Sequence, residues 1–195
     1  MSEPVASVIP PPPHRGPMGA AVRACFQKYA RFSGRAPRSE FWYFILFLIA
    51  GQILLIILNS TLFGPVVETT PDGGQSRLYT SGWFGTIFML ATFLPLLAVG
   101  WRRMHDLNLR GWWFIAPLIL QFVLLWGTAI YYFGLQGLMD AFRQYGAVTF
   151  SFSGPGIGKI ILLVLAAHVA LIIALAWRGT KGPNRFGPDP LGGQA

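Results

Sequence analysis

The chain has 195 residues, 53% of them hydrophobic and only 11% charged, with a mean hydropathy of +0.51 and a net charge of +8. Soluble domains carry about 25% charged residues, so this chain cannot clothe a globular surface in polar side chains, and lipid must be the solvent for much of it. Its basic side chains stand beside apolar runs, which argues against nucleic acid and for anionic lipid and membrane topology, and its single cysteine, Cys25, excludes an intrachain disulfide or a cysteine-built structural zinc site.

Residues 1–16 are Pro-rich, with Pro10 to Pro13 in a row, and are expected to be disordered. They lack the apolar h-region of a cleavable signal peptide, so targeting falls to the first span. From Pro17 to Phe32 a helical face of Val22, Cys25, Phe26, Tyr29 and Phe32 opposes Arg23, Gln27, Lys28 and Arg31. This predicts a basic amphipathic helix in the membrane interface. The alternative is an ordinary helix packed on protein. A hinge over residues 33–40 leads into a first span at 42–63. A polar loop over 64–82 precedes a second span at 83–100, with Pro95 inside it. The third span is expected at 112–133 and the fourth at 157–177, each near the ~20 residues a bilayer requires. In the connection between them, Leu135, Leu138, Met139 and Phe142 suit a short amphipathic helix, and 148–152 alternates like a brief strand. The tail over 178–190 is too rich in turn residues for a regular helix, and 191–195 closes the chain. The expected fold is therefore an all-α integral membrane protein, with four transmembrane helices after an N-terminal amphipathic interfacial helix, in one domain over 17–190.

Four spans put both termini on one side. That side collects twelve of the fifteen Lys and Arg: Arg15, Arg23, Lys28, Arg31, Arg35 and Arg38, then Arg102, Arg103 and Arg110, then Arg178, Lys181 and Arg185. The other side holds Arg77, Arg143 and Lys159. The positive-inside rule makes the first side cytoplasmic. Trp42, Trp101, Trp112 and Trp177 mark the cytoplasmic border and Trp83 the outer one, as an aromatic belt would.

Three stretches on the cytoplasmic side carry recognisable patterns. The first is Gly34-Arg35-Ala36-Pro37-Arg38-Ser39-Glu40-Phe41-Trp42. The second is Arg102-Arg103-Met104-His105-Asp106 leading to Gly111-Trp112-Trp113. The third is Asn184-Arg185-Phe186-Gly187-Pro188-Asp189-Pro190. Together they resemble the bacterial inner-membrane family catalogued as domain of unknown function 805, over about Cys25 to Pro190. That family's pattern has a Gly-Arg-x-x-Arg-x-Glu-Phe-Trp opening, an Arg-Arg-Leu-His-Asp loop before Gly-Trp-Trp, and an Asn-Arg-Phe-Gly-x-x-Pro tail. Met104 stands where leucine is usual, and Arg110 precedes Gly111 where serine is common. The resemblance implies a multi-pass protein of the bacterial inner membrane and no particular activity.

Two sets of residues are candidates for function. The first is a cytoplasmic polar cluster of Arg35, Arg38, Glu40, Arg102, Arg103, His105, Asp106, Asn184, Arg185 and Asp189, in which Glu40, Asp106 and Asp189 are natural partners for the arginines. It reads as a structural clasp, or as a site whose surplus arginine binds an anionic headgroup bidentately. A catalytic or metal role for His105 with Asp106 has less support, because neighbours on a helix do not face each other and further ligands are missing. The second set is Gln52, Thr92, Gln121 and His168. Each lies nine or ten residues from a border tryptophan, or ~14 Å deep. They would form a midplane polar layer centred on His168 if they face the bundle interior. No metal, cofactor or catalytic residue is assigned. The expected function is a non-enzymatic inner-membrane protein with a basic cytoplasmic face. Its partners are membrane lipids, anionic above all, together with a second copy or another membrane protein, and not nucleic acid. The alternatives are a small oligomeric channel or transporter that uses the polar layer, and a membrane-embedded enzyme acting on lipid phosphates.

Overall fold

The computed structural model describes residues 17–69, 73–145 and 157–192. In chain order these form α1 (Met18–Gln27), α2 (Arg38–Phe63), β1 (Val66–Thr69), β2 (Gln75–Leu78), α3 (Gly82–Asp106), a 3-10 turn (Gly111–Phe114), α4 (Ala116–Tyr145) and α5 (Ile157–Ala176). Among the described residues, three helices are long and apolar enough to cross a membrane: Arg38–Phe63, Gly82–Asp106 and Gly158–Ala176. The 26 residues of α2 extend ~39 Å, more than the ~30 Å hydrocarbon core. Their outward side chains, such as Leu54, Ile87 and Leu162, are large and apolar, as hydrocarbon requires. The apolar helix Ala116–Tyr131 is shorter.

Helix boundaries follow local chemistry. Pro37 is the N-cap residue of α2, with φ fixed near the value the helix needs, and Glu40 lies in the first turn, where a negative charge suits the helix dipole. Gly64, at φ 77°, ends α2. The apolar run that predicts a span at 83–100 belongs to a helix that continues six residues further, to Asp106, and stops where Asn108 takes φ 60°. The region expected as a charged loop is therefore largely the last turns of α3. The third span expected from 112 opens instead as a 3-10 turn. α4 then runs through the expected connection to Tyr145, interrupted only at Gly134, whose φ is 66° and ψ 165°. The short helix expected around Leu135 and Met139 is the distal part of α4. The loop expected over 64–82 contains an antiparallel hairpin in the register Val66↔Leu78 to Thr69↔Gln75. The strand expected over 148–152 and the disorder expected over 1–16 lie outside the described residues.

Pro95 cannot donate to the Ala91 carbonyl one turn back. The Tyr29 hydroxyl donates to that carbonyl instead, at 2.8 Å. A residue just after α1 thus repairs the helix that the proline interrupts.

α1 is shorter than the expected helix, and it packs on the core through Cys25 and Val22 of the expected apolar face together with two alanines. Ala21, Ala24 and Cys25 are buried, whereas Phe26 and Tyr29 are partly exposed. The small alanines let α1 approach closely, and Phe26 packs edge-on against Phe44 and Phe47 of α2. Cys25 is fully buried, with its thiol 3.9 Å from the Glu40 carbonyl. Burial first, and the Glu40 charge second, push that thiol up to about 12 from an ordinary 9.0. A maleimide dye at neutral pH should therefore leave the folded protein unlabelled and react as it unfolds. Rapid labelling of folded protein would mean that α1 is not docked. Because the folded thiol titrates above the unfolded one, stability holds up to about pH 9 and falls as the pH rises toward 12.

The core gathers at the end of the bundle where α3 finishes. Phe41, Phe44, Val99, Met104, Phe114 and Leu175 pack there with Cys25 and Ala36. The Phe114 ring lies on Gly100, where any β-carbon would collide with it. This end also carries the charged side chains.

Candidate functional site

The site is built on the last two turns of α3. Here the sequence places Arg102, Arg103, His105 and Asp106 on a helix, and all four side chains are buried. A buried charge must be paired and hydrogen-bonded. The partners come from two segments distant in sequence, the hinge before α2 and the tail after α5.

Asp106 is the hub. Its Oδ1 accepts from Arg35 Nε at 2.9 Å, and its Oδ2 pairs with Arg103. Its backbone carbonyl accepts from the Thr180 amide at 2.9 Å and the Thr180 hydroxyl at 3.1 Å. Gly179 lies so close that a β-carbon there would strike the Asp106 carboxylate. Arg35 also donates to the Gly182 and Thr180 carbonyls. Arg103 also donates to the Leu175 carbonyl at 3.0 Å and to the Trp177 carbonyl, while Arg38 donates to the Ala176 carbonyl at 3.3 Å. Carbonyls at a helix C-terminus have no partner within the helix. Arginines from α3 and α2 therefore cap the end of α5, a task that glycine or water performs in most helices.

A second bridge lies beside the first. Glu40, 1% exposed, accepts from Arg102 Nη1 at 2.7 Å and pairs with Lys28 at 3.4 Å. Arg102 Nε also donates to the Ala98 carbonyl at 3.2 Å, while its Nη2 has no partner among the described residues. Helical spacing would allow Arg102 to pair with Asp106 at i,i+4. The structure instead joins Arg103 to Asp106 at i,i+3 and turns Arg102 to Glu40.

The tail closes the assembly. Asn184 Nδ2 donates to the His105 carbonyl at 3.0 Å and to the Thr180 hydroxyl at 2.9 Å, and its Oδ1 accepts from the Phe186 amide. The Phe186 ring stacks on His105, with centroids 3.8 Å apart and 3° between planes. His105 Nδ1 meets the Gly34 carbonyl at 3.0 Å. The Arg185 guanidinium lies over Phe186 and donates to the Asn108 carbonyl at 2.8 Å. Asp189 does not take the arginine partner expected of it. It accepts from the Leu191 and Gly182 amides, and these bonds, that of Leu191 foremost, hold its carboxyl below the usual carboxylate range.

All ten residues of the expected polar cluster thus lie at one end of the bundle, but they differ in availability. Arg35, Arg102 and Arg103 are buried and engaged internally. Arg38 opens instead onto a cleft of about 820 Å³, which is also lined by Arg178, Lys181, Thr180 and Asp189, with Asp106 at its wall. Arg178 and Lys181 were counted only for topology in the sequence. Their position beside Arg38 depends on how the tail folds back over α3. Among the described residues, no group of three His, Cys, Asp or Glu side chains could hold a metal ion.

The structure does not bring the four expected midplane residues into one layer. The Gln52 amide reaches Ser81 at the start of α3, at 3.5 Å, whereas Thr92 is eleven residues further along the chain and donates to its own helix at Phe88. Counting inward from tryptophans placed these two at one depth, but α2 begins before Trp42 and α3 continues past Trp101. Gln121 and His168 do meet, in a separate groove between α4 and α5.

Buried arginine–carboxylate bridges at one end of long apolar helices define a helical integral membrane protein with an ion-paired clasp. The chain belongs to the family described as protein of unknown function DUF805, whose profile matches residues 29–188. It is 29% identical over 164 residues to inner membrane protein YhaH of Escherichia coli K12, covering 84% of this chain and 90% of that protein. It is 35% identical over 165 residues to inner membrane protein YhaI of the same organism, covering 84% and 89%. No solved structure matches.

Proposed function

We propose that this chain is a non-enzymatic protein of the bacterial inner membrane that holds anionic lipid headgroups at its charged end. In this reading it has four spans, with α4 as the short fourth crossing, α1 near the interface, and both termini and the clasp on the cytoplasmic side. The observation that carries the proposal is the division of labour among the basic residues. Arg35, Arg102 and Arg103 are paired with buried carboxylates inside the clasp, while Arg38, Arg178 and Lys181 surround the open cleft. A guanidinium with free N–H groups binds phosphate oxygens as a fork, and the inner leaflet supplies anionic phosphates at that height. The bias of Lys and Arg toward this end supports the orientation. The non-enzymatic reading is supported by the commitment of His105 to a ring stack and of Asp106 to two arginines.

The test is native mass spectrometry of the full chain from mixed membranes of phosphatidylglycerol, cardiolipin and phosphatidylethanolamine. At about 1 kcal/mol per basic side chain, Arg38→Gln/Arg178→Gln/Lys181→Gln should weaken retention of anionic lipid by on the order of 100-fold. Retention unchanged by the triple substitution would overturn the proposal.

A further inference from the structure

We infer that the groove between α4 and α5 is the contact surface for a second copy of this chain. The groove has a volume of about 420 Å³, and every lining residue comes from these two helices and none from α2 or α3. Its walls are apolar, with Leu125, Ile161 and Leu165 among them, but Gln121 and His168 also line it. Among the described residues Gln121 makes no hydrogen bond and is exposed. His168 Nδ1 faces the Val164 carbonyl one turn back, at 2.8 Å. A carbonyl only accepts, so Nδ1 carries the hydrogen and Nε2 of the neutral ring is left as an acceptor. The groove therefore presents an amide donor and an imidazole acceptor, neither with a partner among the described residues, on a face that hydrocarbon would otherwise cover.

An acyl chain in this groove would satisfy the leucines and isoleucines but leave both polar groups unpaired, which is costly where no water can reach. A second copy supplies the missing partners. Two copies inserted in the same sense carry the same residues at the same depth. A two-fold axis along the membrane normal then sets the Gln121 amide of each copy against His168 Nε2 of the other. The interface is isologous and makes two equivalent hydrogen bonds. Leu165 and Ile161, both more than half exposed, pack around them. This inference is independent of lipid binding at the clasp, because it rests on the membrane-facing side of α4 and α5.

The test uses the full chain in native membranes. Leu165→Cys should form a disulfide-linked dimer on mild oxidation, whereas Leu54→Cys, on the outward face of α2, should not. The buried native Cys25 stays silent. Gln121→Leu and His168→Leu should each weaken dimerisation, and together by roughly tenfold, in fluorescence energy transfer between labelled copies. Both remove a polar group from a membrane-facing groove, and retention of the Cys25 unfolding transition verifies that they fold. Cross-linking at Leu54→Cys but not at Leu165→Cys would overturn the inference. So would a dimer indifferent to both leucine variants, or a monomer that co-purifies with a small amphiphile released by Gln121→Leu.

Discussion

Asp106→Ala should destabilise the protein by about 3–5 kcal/mol, the cost of removing one partner from a buried ion pair. Two arginines depend on this carboxylate, so the upper part of that range is expected. Arg35 and Arg103 would face each other in a protein interior with no compensating charge. Their remaining bonds run to carbonyls of α5 and the tail, and repulsion between them would pull that cap apart. For a chain of this length the melting temperature should fall by on the order of 10 °C or more. The native Cys25 thiol gives the readout, since a maleimide dye reports its exposure on heating. Asp106→Asn separates charge from shape, because it keeps the volume and one acceptor oxygen. It should lose nearly as much stability as alanine. A melting temperature unchanged in Asp106→Asn would mean that packing, and not charge, holds the clasp.

Local pattern reveals part of this molecule and conceals the rest, and the boundary between the two is physical. The apolar run before Trp177 is broken only by Lys159 near its start and His168 near its middle and ends in Arg178-Gly179, so α5 could be delimited from its own residues. The end of α3 could not. Charged residues after Trp101 read as a short loop at the membrane face because their partners are remote: Arg35 lies 71 positions from Asp106, and the Leu175 carbonyl 72 from Arg103. Burial of an arginine depends on what covers it, which a local window does not contain. Pro95 signalled an orphaned carbonyl, yet the hydroxyl that satisfies it is 62 positions from that carbonyl. The hairpin was missed because Val66-Val67 and Leu78-Tyr79 are too short to show alternation. The motif residues could be gathered at one end by helix order alone. Their division into internally paired arginines and available ones required the coordinates.

The Glu40–Arg102 bridge should behave differently from the Asp106 hub when both partners are replaced. Glu40→Ala alone leaves the Arg102 charge buried with only Lys28 nearby, itself a cation, and should cost about 3–5 kcal/mol. Replacing both residues, Glu40→Leu with Arg102→Met, removes the charges and keeps comparable volume. Such exchanges are often neutral or stabilising. Here the double variant also eliminates Arg102 Nη2, a buried donor without a partner among the described residues, which costs about 1–3 kcal/mol on its own. The double variant should therefore melt at or above the wild-type temperature, a strong departure from additivity between contacting sites. A double variant as unstable as Glu40→Ala would refute the electrostatic account. The expected outcome also gives the bridge a purpose other than stability. α2 is apolar over most of its surface, so hydrophobic contact alone hardly fixes its rotation against α3. The ion pair between the first turn of α2 and the last turns of α3 adds a directional constraint at this end of the bundle. The double variant should then keep its melting temperature yet lose the sharp near-ultraviolet circular dichroism of the aromatic contacts around Phe41 and Phe44.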